Sequence, residues 1–354
     1  MPVFVPQGAR IRQELAVAIV EGEGAVQGLI GKKILPDFPI TKRTAHLIKA
    51  TLADTLGLRI LTDKYVRAPG TKFERAVAKF GDDTLTVTLR GVEIVVPNET
   101  EMDFAGFLDV EAFFCARFGQ TSALTQEFLI ASAIFNTTNF GAATNSTVAY
   151  TLANLATISF ISDVIAAVRR VRALGEQPNT VAMSGPVYER VRQAATVQGY
   201  VAGTLRPGME ADVNTILMAL REYGIEQVLV GNGYYNTAAD GATPVLSQLW
   251  SNTYIWVGKA GVAFGMPKQV EGGMANEGVG VPTLQGVGAN IYWEGYTPGG
   301  KIATDENQMT FDGGNYVESY PDLTIDSMVI RVKLSAQPYI GNARAGTLIA
   351  TQYS

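Results

Sequence analysis

The chain has 354 residues, 47% apolar and 17% charged, with a formal net charge of −5 at neutral pH. That composition supports real cores and excludes a disordered chain, and length alone allows two domains or one elaborated one. The acidic balance argues against a nucleic-acid binder with a basic face, and one His with one Cys cannot make a typical zinc site or an intrachain disulfide.

The charge is uneven. Residues 1–75 hold twelve Lys and Arg against seven Asp and Glu, so a basic arm there can touch nucleic acid or an acidic neighbouring subunit. The opening MPVFVPQGARIRQE lacks the apolar run of a signal peptide, and no stretch reaches the length of a membrane span. The sequons at Asn98, Asn136 and Asn145 therefore carry no expectation of glycosylation, and a reducing cytoplasm fits the single Cys115.

In chain order, residues 1–65 read as short mixed elements. Apolar Val17 to Val20 is followed by glycines at 22, 24, 28 and 31, and Pro36 and Pro39 stop regular structure. Lys42 to Leu56 is expected as a helix and Leu58 to Tyr65 as a strand. The whole segment suits an arm that wraps rather than one with its own core. Thr84 to Leu89 alternates as a half-exposed strand does, Gly81-Asp82-Asp83 is the expected turn, and Phe73 to Phe80 the returning strand. A two-stranded hairpin is marginal in water. If it projects, it needs another surface, such as another subunit; otherwise it packs on its own domain.

Asp103 to Asn136 then carries Phe104, Phe107, Leu108, Phe114, Phe118, Leu124, Phe128, Ala131 and Phe135 at helical spacing. A continuous helix here would be ~50 Å long, a backbone for other parts. The alternative is two core helices meeting at Gly119-Gln120-Thr121. Cys115 falls on the apolar side, as a buried small hydrophobe.

Thr151 to Leu174 is a second amphipathic helix, with Gly175 as C-cap glycine, Pro178 beyond it, and Arg169, Arg170 and Arg172 complementing the dipole of its last turn. Asn179 to Met183 is expected as a strand, Ser184 as the N-cap of a helix with Pro186 at its start, Asp212 to Tyr223 as a helix closed by Gly224, and Ile225 to Val230 as a strand. Between Gly231 and Gly300, glycines and aromatics (Tyr234, Tyr235, Trp250, Tyr254, Trp256, Phe264, Tyr292, Trp293, Tyr296) suggest short strands and long loops at a tip where copies meet. Ser327 to Leu334 and Arg344 to Ala350 close the chain as strands.

No enzyme motif is complete. Ser184 follows a strand and precedes a helix, but a nucleophile elbow requires glycine where Ala182 stands, and His46 is the only histidine. Gly24 to Lys33 lacks the glycine and the Ser or Thr of a phosphate loop, having Val26 and Lys33. Asp82/Asp83, Asp305/Glu306 and Asp322/Asp326 read as turn acids. Catalytic, cofactor and metal residues are therefore expected to be none.

The order of parts is more informative: a basic arm, a hairpin, a long helix, an α/β lobe, a glycine- and aromatic-rich region, closing strands. With Arg67-Ala68-Pro69-Gly70 before Phe73, Asn98-Glu99 through Ile134-Phe135-Asn136, Pro178-Asn179-Thr180-Val181-Ala182-Met183-Ser184 with Val187-Tyr188, and Val228-Leu229-Val230-Gly231 before Tyr235-Asn236-Thr237-Ala238, the chain resembles the major capsid proteins of tailed bacteriophages, with the HK97-like fold. The resemblance implies an α+β fold with an N-terminal arm (1–66), an extended loop (67–97), a peripheral domain built on a long spine helix (98–175 and 302–354) and an axial domain (176–301).

It further implies a structural protein of the virion, not an enzyme. Such a chain assembles in the bacterial host cytoplasm into hexamers and pentamers of an icosahedral head, enclosing double-stranded DNA that it contacts weakly and without sequence specificity. Its partners would be further copies, a portal, a separate scaffolding protein (no fused scaffolding region is visible in 1–66) and, optionally, a decoration protein; no membrane is involved. Some relatives crosslink a loop lysine to a C-terminal asparagine, aided by a glutamate. Lys72, Lys79 and Asn342 are present here, but no carboxylate side chain follows Asp326, so no crosslink is expected. An encapsulin-type nanocompartment is the alternative within the fold. A soluble ligand-binding protein or enzyme with its site in loops 232–300 is the alternative outside it.

Overall fold

The computed structural model describes residues 10–11, 13–40, 42–49, 69, 81–104, 106–201, 211–238, 242–261, 286–293 and 315–353. In order they form β1 (Arg10–Ile11), α1 (Gln13–Gly24), α2 (Gly31–Ile34), β2 (Asp37–Ile40), β3 (Thr44–Lys49), β4 (Gly81–Thr86), β5 (Arg90–Pro97), α3 (Asn98–Phe104), α4 (Val110–Ile134), α5 (Thr137–Phe140) and β6 (Thr144–Asn145). Then come α6 (Phe160–Ala173), β7 (Thr180–Ser184), α7 (Gly185–Gln193), α8 (Ala195–Val201), α9 (Val213–Arg221), β8 (Gln227–Gly231), β9 (Tyr234–Asn236), β10 (Leu246–Gln248), β11 (Tyr254–Gly258), β12 (Gly288–Trp293), β13 (Asn315–Asp322), β14 (Ser327–Leu334), β15 (Ala336–Ile340) and β16 (Gly346–Ala350).

The long helix is α4, continuous through Gly119 and about 37 Å long at 1.5 Å per residue. Asp109 caps its first turn, accepting from Ala112 N at 3.0 Å. It is shorter than the expected 103–136 because Gly106, at φ +93, turns the chain between α3 and α4. The expected stripe meets the core in part: Ala131 is buried, and Phe114, Phe118, Leu124 and Phe135 pack half-buried against it. The buried line runs through Cys115, Gly119, Ser122, Ala123, Gln126, Glu127, Ile130, Ala131 and Ile134, whereas Phe104, Phe107, Leu108 and Phe128 are substantially exposed. Small residues take the core face because α1 lies against it backbone to backbone. A Cβ on Gly119 would meet the Ile19 carbonyl, and one on Gly22 the Ala116 carbonyl, far inside the 3.0 Å that real Cβ atoms respect. Glycine here marks a close crossing, not a break.

Two sheets use the two halves of α4. The N-terminal half, with α1, covers a sheet ordered β1-β13-β14-β5. Its core joins Leu15 and Ile19 to Cys115, Val96, Val317, Ile330 and Val332, each fully buried aliphatic contributing about 1.5–3 kcal/mol. So residues 13–24, expected in a wrapping arm, form a helix inside the body. The register Glu318–Arg331–Glu93 runs across the opposite face of that sheet, where Lys333 Nζ reaches Glu318 at 2.7 Å and Arg331 bonds Glu93.

The C-terminal half of α4 lies on the sheet β6-β16-β11-β7-β8. Strand alternation gives that sheet two apolar faces. Val181, Met183, Ile255, Val257 and Ile349 pack with α6, α7 and α9, while Ala182, Leu229, Trp256 and Leu348 pack with Ile30, Ile34, Ile130 and Ile134. β16 and α6 join this core, so residues on both sides of the boundaries expected at 175/176 and 301/302 pack together. Helix α6 also starts later than expected, with Leu152–Asn154 a single 3-10 turn and Leu152 exposed. Gly175 and Gly224 have the expected positive φ of helix-ending glycines. Arg172 donates to Tyr223 O at 2.6 Å, beyond α9, rather than to its own helix end.

A third, three-stranded sheet is ordered β15-β12-β2, and β3 pairs antiparallel with β4. Thr44–Lys49 is therefore a strand where a helix was expected, and Gly81-Asp82-Asp83 is strand, not turn: Asp82 opposes Ile48 and Asp83 opposes Leu47. β5 pairs along all eight residues with β14, so 90–97 belongs to the body. The expected strands 58–65 and 73–80 lie outside the described residues.

Candidate assembly surface

Among the described residues, no three His, Cys, Asp or Glu side chains gather as a metal site, and no helix is long and apolar enough to cross a membrane. Ser184 stands at the N-cap position of α7, but its hydroxyl donates to Asn252 Oδ1 at 2.7 Å instead of capping. The aromatics expected at a loop tip mostly fill the body. Trp250 and Trp256 are fully buried; Phe135 stacks edge-on to Trp250 at 5.1 Å and Phe128 lies 5.3 Å from Tyr235. Tyr234, Val245 and Leu246 stay exposed on the β9–β10 hairpin; Phe264 and Tyr296 are outside the described residues.

Buried polar groups act as ties between elements. The Glu127 carboxylate accepts from Ile30 N at 2.8 Å, Gly31 N at 2.8 Å and Trp250 Nε1 at 2.7 Å. Burial pushes its pKa up, and these donors pull it partly back. Asp163 takes the Thr147 hydroxyl at 2.9 Å and the Tyr150 hydroxyl at 3.2 Å; burial, then the adjacent carboxylate, pushes the Tyr150 phenol well up. Neither was visible in the sequence as a pair, since the partners lie far apart or look like ordinary loop residues.

Asn342 and Glu176 form a third tie. Asn342 Nδ2 donates to the buried Glu176 carboxylate at 2.7 Å, and its Oδ1 accepts from Arg344 N at 3.0 Å. A carboxylate thus meets Asn342 after all, supplied from 166 residues upstream. Both ends of the amide are engaged within the chain, and on that ground it is expected not to react with a neighbour's lysine. Assembled protein boiled in detergent should run as one monomer band, and a ladder of higher species would contradict this.

Exposed apolar side chains crowd the segment that leads into the long helix. Phe107 is 91% exposed and Met102 77%, with Phe104 and Leu108 also largely open. The β13–β14 turn, with Leu323 (89%) and Ile325 exposed, is tied to the start of this segment. Asn98 fastens the two segments, its Nδ2 donating to Asp326 Oδ1 at 2.6 Å and its N–H to Asp326 O at 3.2 Å. Apolar clusters of this kind on a folded chain mark contact surfaces.

This arrangement, an α+β body with a long helix bridging two sheets, is the HK97-like capsid fold. No family model matches the chain, and no curated protein sequence matches it. Solved structures do. A phage-related protein from Bordetella bronchiseptica RB50 aligns at 16% identity over 98% of both chains, TM-score 0.63. A virus-like particle protein from Pyrococcus furiosus aligns at 11% identity over 95% of this chain and 98% of that one, TM-score 0.53. The capsid protein of cyanophage P-SCSP1u aligns at 10% identity over 92% and 88%, TM-score 0.52.

Proposed function

We propose that this chain is the major capsid protein of a tailed bacteriophage, assembling into hexamers and pentamers that close an icosahedral head around double-stranded DNA. The observation that carries the reading is the fold shared along nearly the whole chain with phage and virus-like shell proteins. The exposed apolar segment leading into the long helix supports it, because a chain that works by self-association needs such surfaces and no catalytic group.

On this reading the extended loop is entered and left through β3 and β4. The peripheral domain is α1, α4 and the β1-β13-β14-β5 sheet; the axial domain is the five-stranded sheet with α6 to α9. Further copies, a portal, a separate scaffolding protein and, optionally, a decoration protein are the partners. The protein assembles in the bacterial cytoplasm and resides in the virion. Its net acidic body would enclose DNA without gripping it.

Negative-stain microscopy with light scattering on purified protein, at low and high salt, tests this. Closed shells, tubes or six-membered rings are expected, with nucleic acid in shells taken from infected cells. Shells holding a cargo enzyme instead would make the protein a nanocompartment. A monomer or dimer in every condition would overturn the shell reading.

A further inference from the structure

We infer that the acidic, apolar segment 98–109 of one copy docks in the groove between β5 and α4 of a second copy; this rests on the self-assembly reading and names one of its interfaces. The segment has the character of something made to be covered. Helix α3 has seven residues and none of them is buried, and a helix so short is not stable in water by itself. Gly106, at φ +93, turns the chain so that Phe107 stands out at 91% exposure. Between the apolar side chains stand Glu99, Glu101 and Asp103, all exposed.

The groove is the complement. It has a volume of about 500 Å³, with Ile94, Phe114, Phe118 and Leu334 as apolar lining. Its charged lining residues are Arg90 and Arg117, with no acid among them. Among the described residues neither guanidinium meets a carboxylate: Arg90 Nη1 donates to Ala336 O and Arg117 Nη1 to Gln120 Oε1, both at 3.1 Å. Among the described residues β5 is also the edge strand of its sheet, and Val92, which lines the groove, is nearly half exposed. Natural proteins cover such edges.

Segment and groove are different surfaces of the same chain, so the contact is head-to-tail. Contacts of that kind close into rings when the rotation permits and otherwise run on as chains. Carboxylates meeting arginines set register and partner choice, while the aromatics supply the buried area.

The test uses the full chain and a labelled peptide of residues 98–110. At low salt the peptide should bind the wild-type chain. A peptide with Glu99→Lys, Glu101→Lys and Asp103→Lys should bind it at least tenfold more weakly, a comparison that needs no mutant protein to fold. In sedimentation, the chain with Arg117→Glu and the chain with Glu101→Lys and Asp103→Lys should each fail to assemble. Their equimolar mixture should recover assembly, because each supplies what the other's reversed surface now fits. Failure of the mixture, with rescue only when all three reversals share one chain, would place the contact within a single copy and overturn the proposal. Shells from the wild type that neither the reversals nor the peptide disturb would overturn the interface and leave the shell reading standing. A wild-type chain that neither assembles nor binds the peptide would remove both.

Discussion

Gly119→Ala should destabilise the folded chain by about 2 kcal/mol, and Gly119→Val by on the order of 4 kcal/mol. Two effects oppose each other at this position. Alanine in a helix interior gains roughly 0.5–1 kcal/mol over glycine through the unfolded chain's lost freedom. Against that, the new methyl would overlap the Ile19 carbonyl of α1. The obstacle is backbone, so no rotamer change can relieve it; the two helices must move apart. Overpacking a core costs about 1–3 kcal/mol, and separation also loosens Leu15, Ile19 and Cys115 from the sheet beneath. The clash therefore wins. Gly22→Ala should behave the same way, since its methyl would strike the Ala116 carbonyl. Gly24, in the same helix, has nothing within 4 Å of its added methyl, so Gly24→Ala should be neutral or raise stability by up to about 1 kcal/mol. Urea unfolding of the three alanine variants decides the matter. If Gly119→Ala gains stability as Gly24→Ala does, the close crossing is not there.

This pair of glycines also shows what the sequence can and cannot say. A glycine in an apolar helical stretch reads equally as a break or as a contact, and only the second helix distinguishes them. A related ambiguity holds along the face of the long helix. Phenylalanines at helical spacing look like the buried stripe, and Phe114, Phe118 and Phe135 do pack against the cores, yet the most deeply buried line consists of small residues and acceptors and Phe128 faces outward. Periodicity finds a face; it does not say whether that face meets the chain's own core or another copy. Strand β14, by contrast, was legible residue for residue, because it is central in its sheet and its alternation answers to one core. The helix-ending glycines Gly175 and Gly224 were legible for a local reason: a positive φ is a property of the residue itself. Thr44–Lys49 was not, since its partner strand stands more than thirty residues along the chain and its charged pattern suits a helix just as well.

Glu127→Leu should cost on the order of 3 kcal/mol, and the milder Glu127→Gln should remove a pH dependence. In the sequence Glu127 is one polar residue on an apolar helix, and nothing there announces that Gly31 and Trp250 come to it. In the fold it is the single acceptor for three N–H groups from two other segments. Leucine leaves all three donors buried without a partner, at about 1–3 kcal/mol each. Part of that is offset, because a buried carboxylate no longer has to be desolvated. Glutamine keeps an oxygen for Ile30 and Trp250, but its amide nitrogen would face Gly31 N–H, donor against donor, so a loss of about 1–2 kcal/mol follows.

The pH effect has a definite sign. Folding raises the Glu127 pKa above its ordinary 4.5, chiefly by burial. The native chain then holds this proton more tightly than the unfolded chain does. The associated stability is complete below the unfolded carboxyl's value and is lost as pH rises through the raised native value. Glu23 is raised by burial too and adds in the same direction. Wild-type stability should therefore decline as pH rises from about 4.5 into the raised range, with Glu127→Gln showing the smaller decline that Glu23 alone supplies. Denaturant midpoints across that range, read by the fluorescence of Trp250 against the other two tryptophans, measure it. Identical pH profiles for the two proteins would mean that Glu127 stays ionised on folding without a shift, and that its three donors, not its burial, govern it.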